Sequence, residues 1–179
     1  MSDDNQTIEE LGKLVRRLMD RQEILDCVNI YARGLDRLDA DLLRSTFHSD
    51  AVDNHGPFIG GREDFVQFAI EIESSFYWTH HGVTTHTCEI DGDCAHAESY
   101  VHFFVQTPDR QHVAAGGARY IDKLERRDGK WGITIRRVMM DWSIQIPYSS
   151  WLGPAWEEIR GRRDRQDPSY ERPLKSPKI

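Results

Sequence analysis

The sequence predicts one α+β domain in which helices pack on one face of a curved β-sheet and leave a polar pocket on its concave side. Helical periodicity dominates the first 75 residues, strand-like segments separated by turn signals follow, and the chain shows no internal repeat. Its 179 residues suit one domain with tails. We expect residues 1–7 to be a disordered tail, residues 8–152 to form the domain and residues 153–179 to be an extended tail.

Three helices are predicted in the first part of the chain. The first begins at Ile8 and should stop at Gly34. Asp39 precedes a short second helix as its N-cap, and this helix should end near Phe47. The third covers 63–74 and carries an apolar face. The apolar positions of the first helix recur at helical spacing: Leu11, Leu14, Val15, Leu18, Met19, Ile24, Leu25, Val28 and Tyr31.

Four long strands are predicted after Trp78, and a short one around 51–53. The long strands are Val83–Ile90, His96–Thr107, His112–Arg126 and Lys130–Ile146. Their joints carry the turn signals Asp91-Gly92-Asp93, Pro108-Asp109 and Asp128-Gly129. Gly116-Gly117 lies inside a strand and indicates a bulge that bends the sheet.

Composition excludes several classes of function. A net charge of −7 argues against nucleic-acid binding, and no apolar run is long enough to span a bilayer. The acidic N-terminus is unlike a signal peptide, and three cysteines without metal-type spacing indicate reduced thiols in a cytoplasmic protein. No HExxH, GxGxxG or GxSxG motif occurs, so we expect no metal and no nucleotide cofactor.

Asp36 and His81 are the first candidates for site chemistry. Asp36 could cap the second helix, but Asp39 is better placed for that task. His81 enters the first long strand beside His80, and adjacent strand residues point to opposite faces, which argues against a paired-histidine metal site. Each residue could equally be an ordinary hydrogen-bonded side chain.

Arg136 and Arg137 are candidates for stabilising a developing anion. Strict alternation puts Arg137 on the same face as Trp131, Ile133 and Ile135. A solvated strand charge is the alternative for either arginine.

An ordered set of motifs over residues 10–150 resembles the SnoaL-like branch of the nuclear-transport-factor-2-like superfamily. The motifs are Tyr31…Asp36, His81 before Glu89-Ile90-Asp91-Gly92-Asp93, Glu125-Arg126-Arg127-Asp128-Gly129-Lys130-Trp131, and Arg136-Arg137…Asp141-Trp142. The resemblance implies a cone-shaped barrel of three helices and a curved mixed sheet around a deep pocket. Relatives include scytalone dehydratase, bile-acid 7α-dehydratase and hexachlorocyclohexane dehydrochlorinase, which are cofactor-free lyases with a His–Asp dyad and are commonly trimers.

The resemblance also implies roles for individual residues. Its catalytic set is His81, Asp36, Tyr31 and Arg137, and its substrate-binding set is Asn54, His55, Thr85, His102 and Trp142. An aromatic residue that the family carries on the strand after the second helix is replaced here by Val52-Asp53-Asn54-His55. This departure makes Asn54 and His55 candidates for the pocket.

The function implied is proton abstraction by a His–Asp dyad from a small apolar ring substrate such as a polyketide, a steroid or an aromatic catabolite, most simply with dehydration. Isomerisation with Asp36 as the only base is a second reading. A third is a non-catalytic ligand-binding protein or an accessory subunit of the ring-hydroxylating-oxygenase β-subunit type. We expect a homo-oligomer, trimer or dimer, that binds a small hydrophobic ligand.

Overall fold

The computed structural model describes residues 2–150, 153, 156 and 159–175, with side chains from residue 5 onward. It confirms the α+β prediction: α1 and α2 precede the first two strands, and α3 separates these from the four long strands of a six-stranded sheet. The helices are α1 (Ser2–Asp36), α2 (Ala40–Arg44) and α3 (Arg62–Ser75). The strands are β1 (Phe47–Asn54), β2 (Ile59–Gly61), β3 (Trp78–Asp91), β4 (Cys94–Gln106), β5 (His112–Arg127) and β6 (Lys130–Pro147).

The sheet is mixed and open, with the strand order β2-β1-β6-β5-β4-β3. β1 pairs in parallel with β6, and the other neighbours pair antiparallel. The C-terminal half of α1 and the apolar face of α3 cover the concave side and form the core with it. The expected cone is therefore present, but β2 and β3 remain edges and the sheet does not close into a barrel.

The ends of the first two helices follow from local chemistry. α1 begins at Ser2, before the predicted start at Ile8, and passes through Gly34. Gly34 has a packing role instead of ending the helix, because a Cβ there would lie 2.9 Å from the backbone nitrogen of Leu43. The predicted N-cap of α2 is confirmed: the Asp39 carboxylate accepts a hydrogen bond from the Leu42 backbone N–H at 3.1 Å.

The long strands form three successive hairpins at the predicted turns. Asp128 and Gly129 have φ angles of 52° and 75°, the left-handed pair that a two-residue type I′ turn requires. Gly92 has a φ of 58° in the turn between β3 and β4. These turns fix the register of β3 to β6 and thus decide which residues face the concave side.

A bulge in the first half of β6 changes the predicted alternation. Leu124 of β5 pairs with Ile133, but Lys123 pairs with Ile135, so Thr134 is an extra residue in β6. Ile135 is therefore exposed although Ile133 is fully buried. After this bulge the even-numbered residues of β6 face the interior.

A second bulge lies beside the predicted glycine pair. Gly117 pairs with Trp142 and Ala118 pairs with Met140, so Asp141 is the extra residue. The Trp142 indole lies against Gly117, where a Cβ would come within 2.2 Å of its nitrogen. The glycine thus makes room for a large side chain on the outer face of the bent sheet.

The C-terminal segment, residues 159–175, returns to the cone with irregular backbone and one 3₁₀ turn, Pro168–Tyr170. Arg33 and Asp39 both contact it, through Ser169 and Tyr170. Among the described residues, no helix is long and apolar enough to cross a membrane.

Candidate active site

Asp36 and His81 form a hydrogen-bonded pair where α1 ends beside β3. The Nδ1–H of His81 donates to Asp36 Oδ1 at 2.8 Å, and the His81 backbone N–H donates to Oδ2 at 2.9 Å. Thr79, two residues earlier on the same face of β3, donates its hydroxyl to Oδ1 at 3.0 Å. The carboxylate is therefore held by three donors, and the pair is almost completely buried. Because Asp36 occupies Nδ1, the Nε2 atom of His81 is the one free to accept a proton.

A cavity of about 290 Å³ lies on the concave side of the sheet, with His81 in its wall. Most of its lining is apolar and comes from the middle strands and the end of α3. The lining residues are His55, Gly56, Pro57, Ile72, Glu73, Phe76, His81, Val101, Phe103, Val105, Ala118, Tyr120, Val138 and Met140. An apolar cavity with a few polar groups suits a small hydrophobic ligand.

Glu73 is a polar member of this wall that the sequence analysis missed. Its Oε1 atom lies 4.0 Å from His81 Nε2, its side chain is 12% exposed, and Oε2 has no hydrogen-bond partner among the described residues. Burial raises the pKa of Glu73 overall, although the charges of His81 and of Arg163, whose Nη2 lies 3.7 Å from Glu73 Oε2, oppose that rise. The sequence did indicate that Glu73 lies on the apolar face of α3, because it follows Ala69 of that face by four residues.

Tyr31 was expected to place its hydroxyl group in the cavity, but Tyr120 lines the cavity instead. Tyr31 is fully buried one layer below the cavity, stacked on Phe65, and its hydroxyl has no partner among the described residues. Five helical residues before Asp36, it points to a different side of α1. Tyr120 of β5 packs edge-on against Tyr31 and lines the cavity. Burial raises the pKa of Tyr120 although the charge of Arg136 opposes that rise, so its hydroxyl stays protonated.

Arg136, not Arg137, faces the interior, because the bulge at Thr134 reverses the alternation. Arg136 is fully buried and donates to both carboxylate oxygens of Asp122, from Nε at 2.7 Å and from Nη2 at 2.6 Å. Burial opposes its charge, but Asp122 raises the pKa of Arg136 overall, so the pair is ionised. Arg137 is exposed on the other side of β6. Neither guanidinium lies in the wall of the 290 Å³ cavity in the described chain.

His102 and Trp142 lie on the outer face of the sheet, away from the cavity. Val101 and Phe103 of β4 face the cavity, so His102 between them points outward. Its ring lies 6.0 Å from that of Trp142, which is 47% exposed. These two residues of the predicted substrate-binding set are therefore not at the cavity.

Thr85 is also exposed, because a bulge between Val83 and His86 adds a residue to β3. The bulge turns His86 inward instead, where its Nδ1 lies 2.8 Å from the buried Ser99 hydroxyl. Burial lowers the pKa of His86. The residue pattern of the strand in the sequence could not reveal that His86 would face inward and Thr85 outward.

Of the two predicted pocket residues at the end of β1, Asn54 and His55, only His55 reaches the cavity. The Asn54 side chain accepts a hydrogen bond from the Gly56 backbone N–H and stabilises the turn. The His55 ring stacks on Phe65, and its Nδ1 lies 3.1 Å from Oδ1 of the fully buried Asp53. A second histidine–carboxylate pair thus borders the same cavity.

Arg163 of the C-terminal segment covers the back of the dyad. Its guanidinium donates to the backbone oxygens of Asp36, Glu73 and Phe76 and to the Thr79 hydroxyl, at 2.8 to 3.2 Å. These acceptors include backbone carbonyl groups in the last turns of α1 and α3. Arg163 therefore ties both helices to β3 at the site.

No group of three or more His, Cys, Asp or Glu side chains within the described ranges is arranged to hold a metal ion.

Comparisons with known proteins agree with this fold. The SnoaL-like domain family matches residues 16–137. A hexachlorocyclohexane dehydrochlorinase (type 2) superposes with a TM-score of 0.71 at 22% identity, covering 78% of this chain and 97% of that protein. No curated protein sequence matches the chain.

Two proteins of Novosphingobium aromaticivorans have the same fold. One, provisionally named a scytalone dehydratase, superposes with a TM-score of 0.66 at 19% identity, covering 75% of this chain and 91% of its own. The other, provisionally named an aromatic ring hydroxylase, gives a TM-score of 0.64 at 21% identity, covering 73% of this chain and 94% of its own. At these identities the superpositions establish the fold and leave the chemistry to the site itself.

Proposed function

Since the chain belongs to the SnoaL-like family, we propose that it is a cofactor-free lyase that removes water from a small cyclic β-hydroxy carbonyl compound. One observation carries the proposal: His81 Nε2 and Glu73 Oε1 stand 4.0 Å apart in the wall of one apolar cavity. An imidazole can serve as a general base, and burial raises the pKa of the Glu73 carboxyl group, which favours its protonated form and suits it to the role of proton donor.

His81 acts as the general base. Asp36 fixes the tautomer with the proton on Nδ1 and stabilises the imidazolium ion that forms when Nε2 takes a proton. The acidic hydrogen lies on the carbon next to the carbonyl group. Tyr120, a neutral hydroxyl donor in the cavity wall, binds the carbonyl oxygen and stabilises the enolate.

Glu73 acts as the general acid. The C–H proton moves to His81 Nε2, the electron pair forms the C=C bond, and the C–O bond breaks as the oxygen takes the Glu73 proton and leaves as water. A separation of 4.0 Å between acid and base fits a proton and a hydroxyl group on the same face of two neighbouring carbons, so the elimination is syn. Transfer of a proton from the imidazolium to the Glu73 carboxylate restores the starting state.

His55 has a binding role in this proposal. Its ring borders the cavity and is oriented by Asp53 and Phe65, which suits a contact to a second polar group of the ring substrate. Isomerisation is the alternative outcome of the same proton abstraction, and it differs by the absence of water loss.

The test uses cyclic β-hydroxy ketones, with scytalone and hexachlorocyclohexane included because the structural neighbours are named for acting on them. Product formation is followed by mass spectrometry, and C–H exchange by NMR in D₂O. His81→Gln and Asp36→Asn should lose activity by about 10² to 10⁴-fold. His102→Gln on the outer face is the matched control and should retain wild-type activity. Equal rates for wild type and His81→Gln would exclude the dyad as the base.

A further inference from the structure

Arg163 of the C-terminal segment stands between the proposed base and the proposed acid. Its Nη2 atom donates a hydrogen bond to the Thr79 hydroxyl oxygen at 3.0 Å and lies 3.7 Å from Glu73 Oε2. The Thr79 hydroxyl in turn donates to Asp36 Oδ1 at 3.0 Å. One nitrogen atom of Arg163 therefore reaches the dyad carboxylate through a single hydroxyl group and faces the Glu73 carboxyl group directly.

The direction of the Thr79 hydroxyl proton follows from this arrangement. A guanidinium group donates hydrogen bonds and cannot accept them, so Arg163 uses the Thr79 oxygen as an acceptor. The single hydroxyl proton then points to another acceptor, which is Asp36 Oδ1. Thr79 is only 7% exposed, so little water competes for that proton. Arg163 thus holds one of the three donors of the Asp36 carboxylate in place.

Arg163 also balances the charge of the buried side chains at the site. Asp36, Glu73, His81 and Arg163 have side chains that are at most 15% exposed. Before the reaction the Asp36 carboxylate and the guanidinium cancel each other. After both proton transfers the His81 imidazolium and the Glu73 carboxylate cancel as well. Without the guanidinium these groups would carry a net negative charge in both states, which is costly in a buried place.

Glu73 Oε2 is the atom on which this charge acts most directly. It is buried and has no hydrogen-bond partner among the described residues. Burial raises the pKa of Glu73, whereas the charges of His81 and Arg163 and the Thr79 hydroxyl oppose that rise. The guanidinium therefore favours the carboxylate that forms when Glu73 gives up its proton. The groups that act on Glu73 are Asp36 of α1, Thr79 and His81 of β3, Tyr120 of β5 and Arg163 of the C-terminal segment.

We propose that Arg163 is a positioning residue for the elimination, which holds the Thr79 hydroxyl on Asp36 and stabilises the Glu73 carboxylate left after proton donation. The C-terminal segment thereby belongs to the site, although it contributes no side chain to the wall of the 290 Å³ cavity. This role rests on the proposed function, because it takes Glu73 as the acid. The effect of Arg163 on Glu73 is nevertheless measurable without any substrate.

The first test follows the titration of the Glu73 carboxyl group by ¹³C NMR, with the signal assigned by its loss in Glu73→Gln. Arg163→Met should titrate at higher pH than wild type, because an opposing positive charge is gone. Arg163→Lys keeps the charge and should titrate closer to wild type. Arg162→Met is the matched control and should titrate like wild type, because its described ion pair is with Asp164. Equal titration of Glu73 in wild type and Arg163→Met would overturn the proposal, as would equal titration in Arg163→Met and Arg163→Lys.

Thr79 provides a second variant that spares the bonds between Arg163 and the helix ends. Thr79→Val leaves the acceptors at Asp36, Glu73 and Phe76 intact, so this variant should fold even if Arg163→Met does not. It should also raise the pH at which Glu73 titrates, whereas Thr79→Ser, which keeps the hydroxyl, should not. Equal titration of Glu73 in Thr79→Val and Thr79→Ser would overturn the role of the hydroxyl.

The second test measures kinetics on a substrate that wild type converts. Arg163→Met and Thr79→Val should each lower kcat by about 10 to 10²-fold, the factor that corresponds to one charge-assisted hydrogen bond, and leave KM nearly unchanged. The double variant should lose less than the product of the two single losses, because Arg163 reaches Asp36 through Thr79. A wild-type kcat with a raised KM would overturn the positioning role. Failure of wild type to convert any substrate would count against the proposed function, and the Glu73 titration would still decide the role of Arg163.

Discussion

Replacing Arg163 with methionine should destabilise the protein by about 3 kcal/mol. The side chain is 15% exposed and makes four hydrogen bonds, to the backbone oxygens of Asp36, Glu73 and Phe76 and to the Thr79 hydroxyl. A charge-assisted hydrogen bond contributes about 1.5 to 3 kcal/mol, so simple addition would give more than about 6 kcal/mol. The cost of burying the guanidinium, which also lowers the pKa of Arg163, offsets part of that sum. Methionine keeps the apolar contacts of the stem, so about 3 kcal/mol remains.

Urea unfolding at fixed protein concentration measures this loss. Arg162→Met is the matched control, because the Arg162 side chain is about half exposed and its described ion pair is with Asp164. Such a pair contributes at most about 1 kcal/mol. A loss for Arg163→Met no larger than that for Arg162→Met would refute the idea that Arg163 holds the helix ends to β3.

Two further changes test buried charges. Asp122→Asn should lower the free energy of unfolding by about 3 to 5 kcal/mol, because it leaves Arg136 buried without a counter-charge. The control Asp141→Asn removes an exposed pair with Arg119 and should lower it by less than about 1 kcal/mol. Equal losses for the two variants in urea unfolding would contradict this reasoning. Burial raises the folded-state pKa of Glu73 above its unfolded value, so wild type loses stability as pH rises through the folded pKa. Glu73→Gln should therefore gain stability relative to wild type as the pH rises above the unfolded-state pKa of a glutamate, and parallel pH profiles of the two proteins would exclude that effect.

The sequence was sufficient to predict the three helices, the short strand after α2 and the four long strands, but not β2. The resemblance to the SnoaL-like family, and not the residues alone, implied that Asp36 and His81 meet. The hairpin turns and the cap at Asp39 are local, so their residue types indicate them directly. The position of Glu73 in the cavity wall was also predictable, because it follows from helical periodicity alone.

The remaining features of the site depend on contacts between distant residues. Arg163 binds backbone oxygens that lie 87 to 127 positions away in sequence, and a carbonyl oxygen carries no residue-specific signal. Arg136 faces inward, and Thr85 outward, only because extra residues interrupt the pairing of β6 and β3. Gly132 and Gly82 each lie two residues before an interruption, but a strand glycine does not specify where an extra residue falls, so strict alternation was the natural expectation.

The two bulges of β6 also affect how this chain can be aligned with its relatives. Ile133 is odd-numbered and faces inward, Arg136 and Met140 are even-numbered and face inward, and after Asp141 the inner positions are odd again. The second extra residue therefore cancels the parity change that Thr134 introduces. An alignment to a relative that lacks both bulges must open one gap at each of them. If these gaps are omitted, every inner residue from 135 to 140 is matched to an outer residue of the relative.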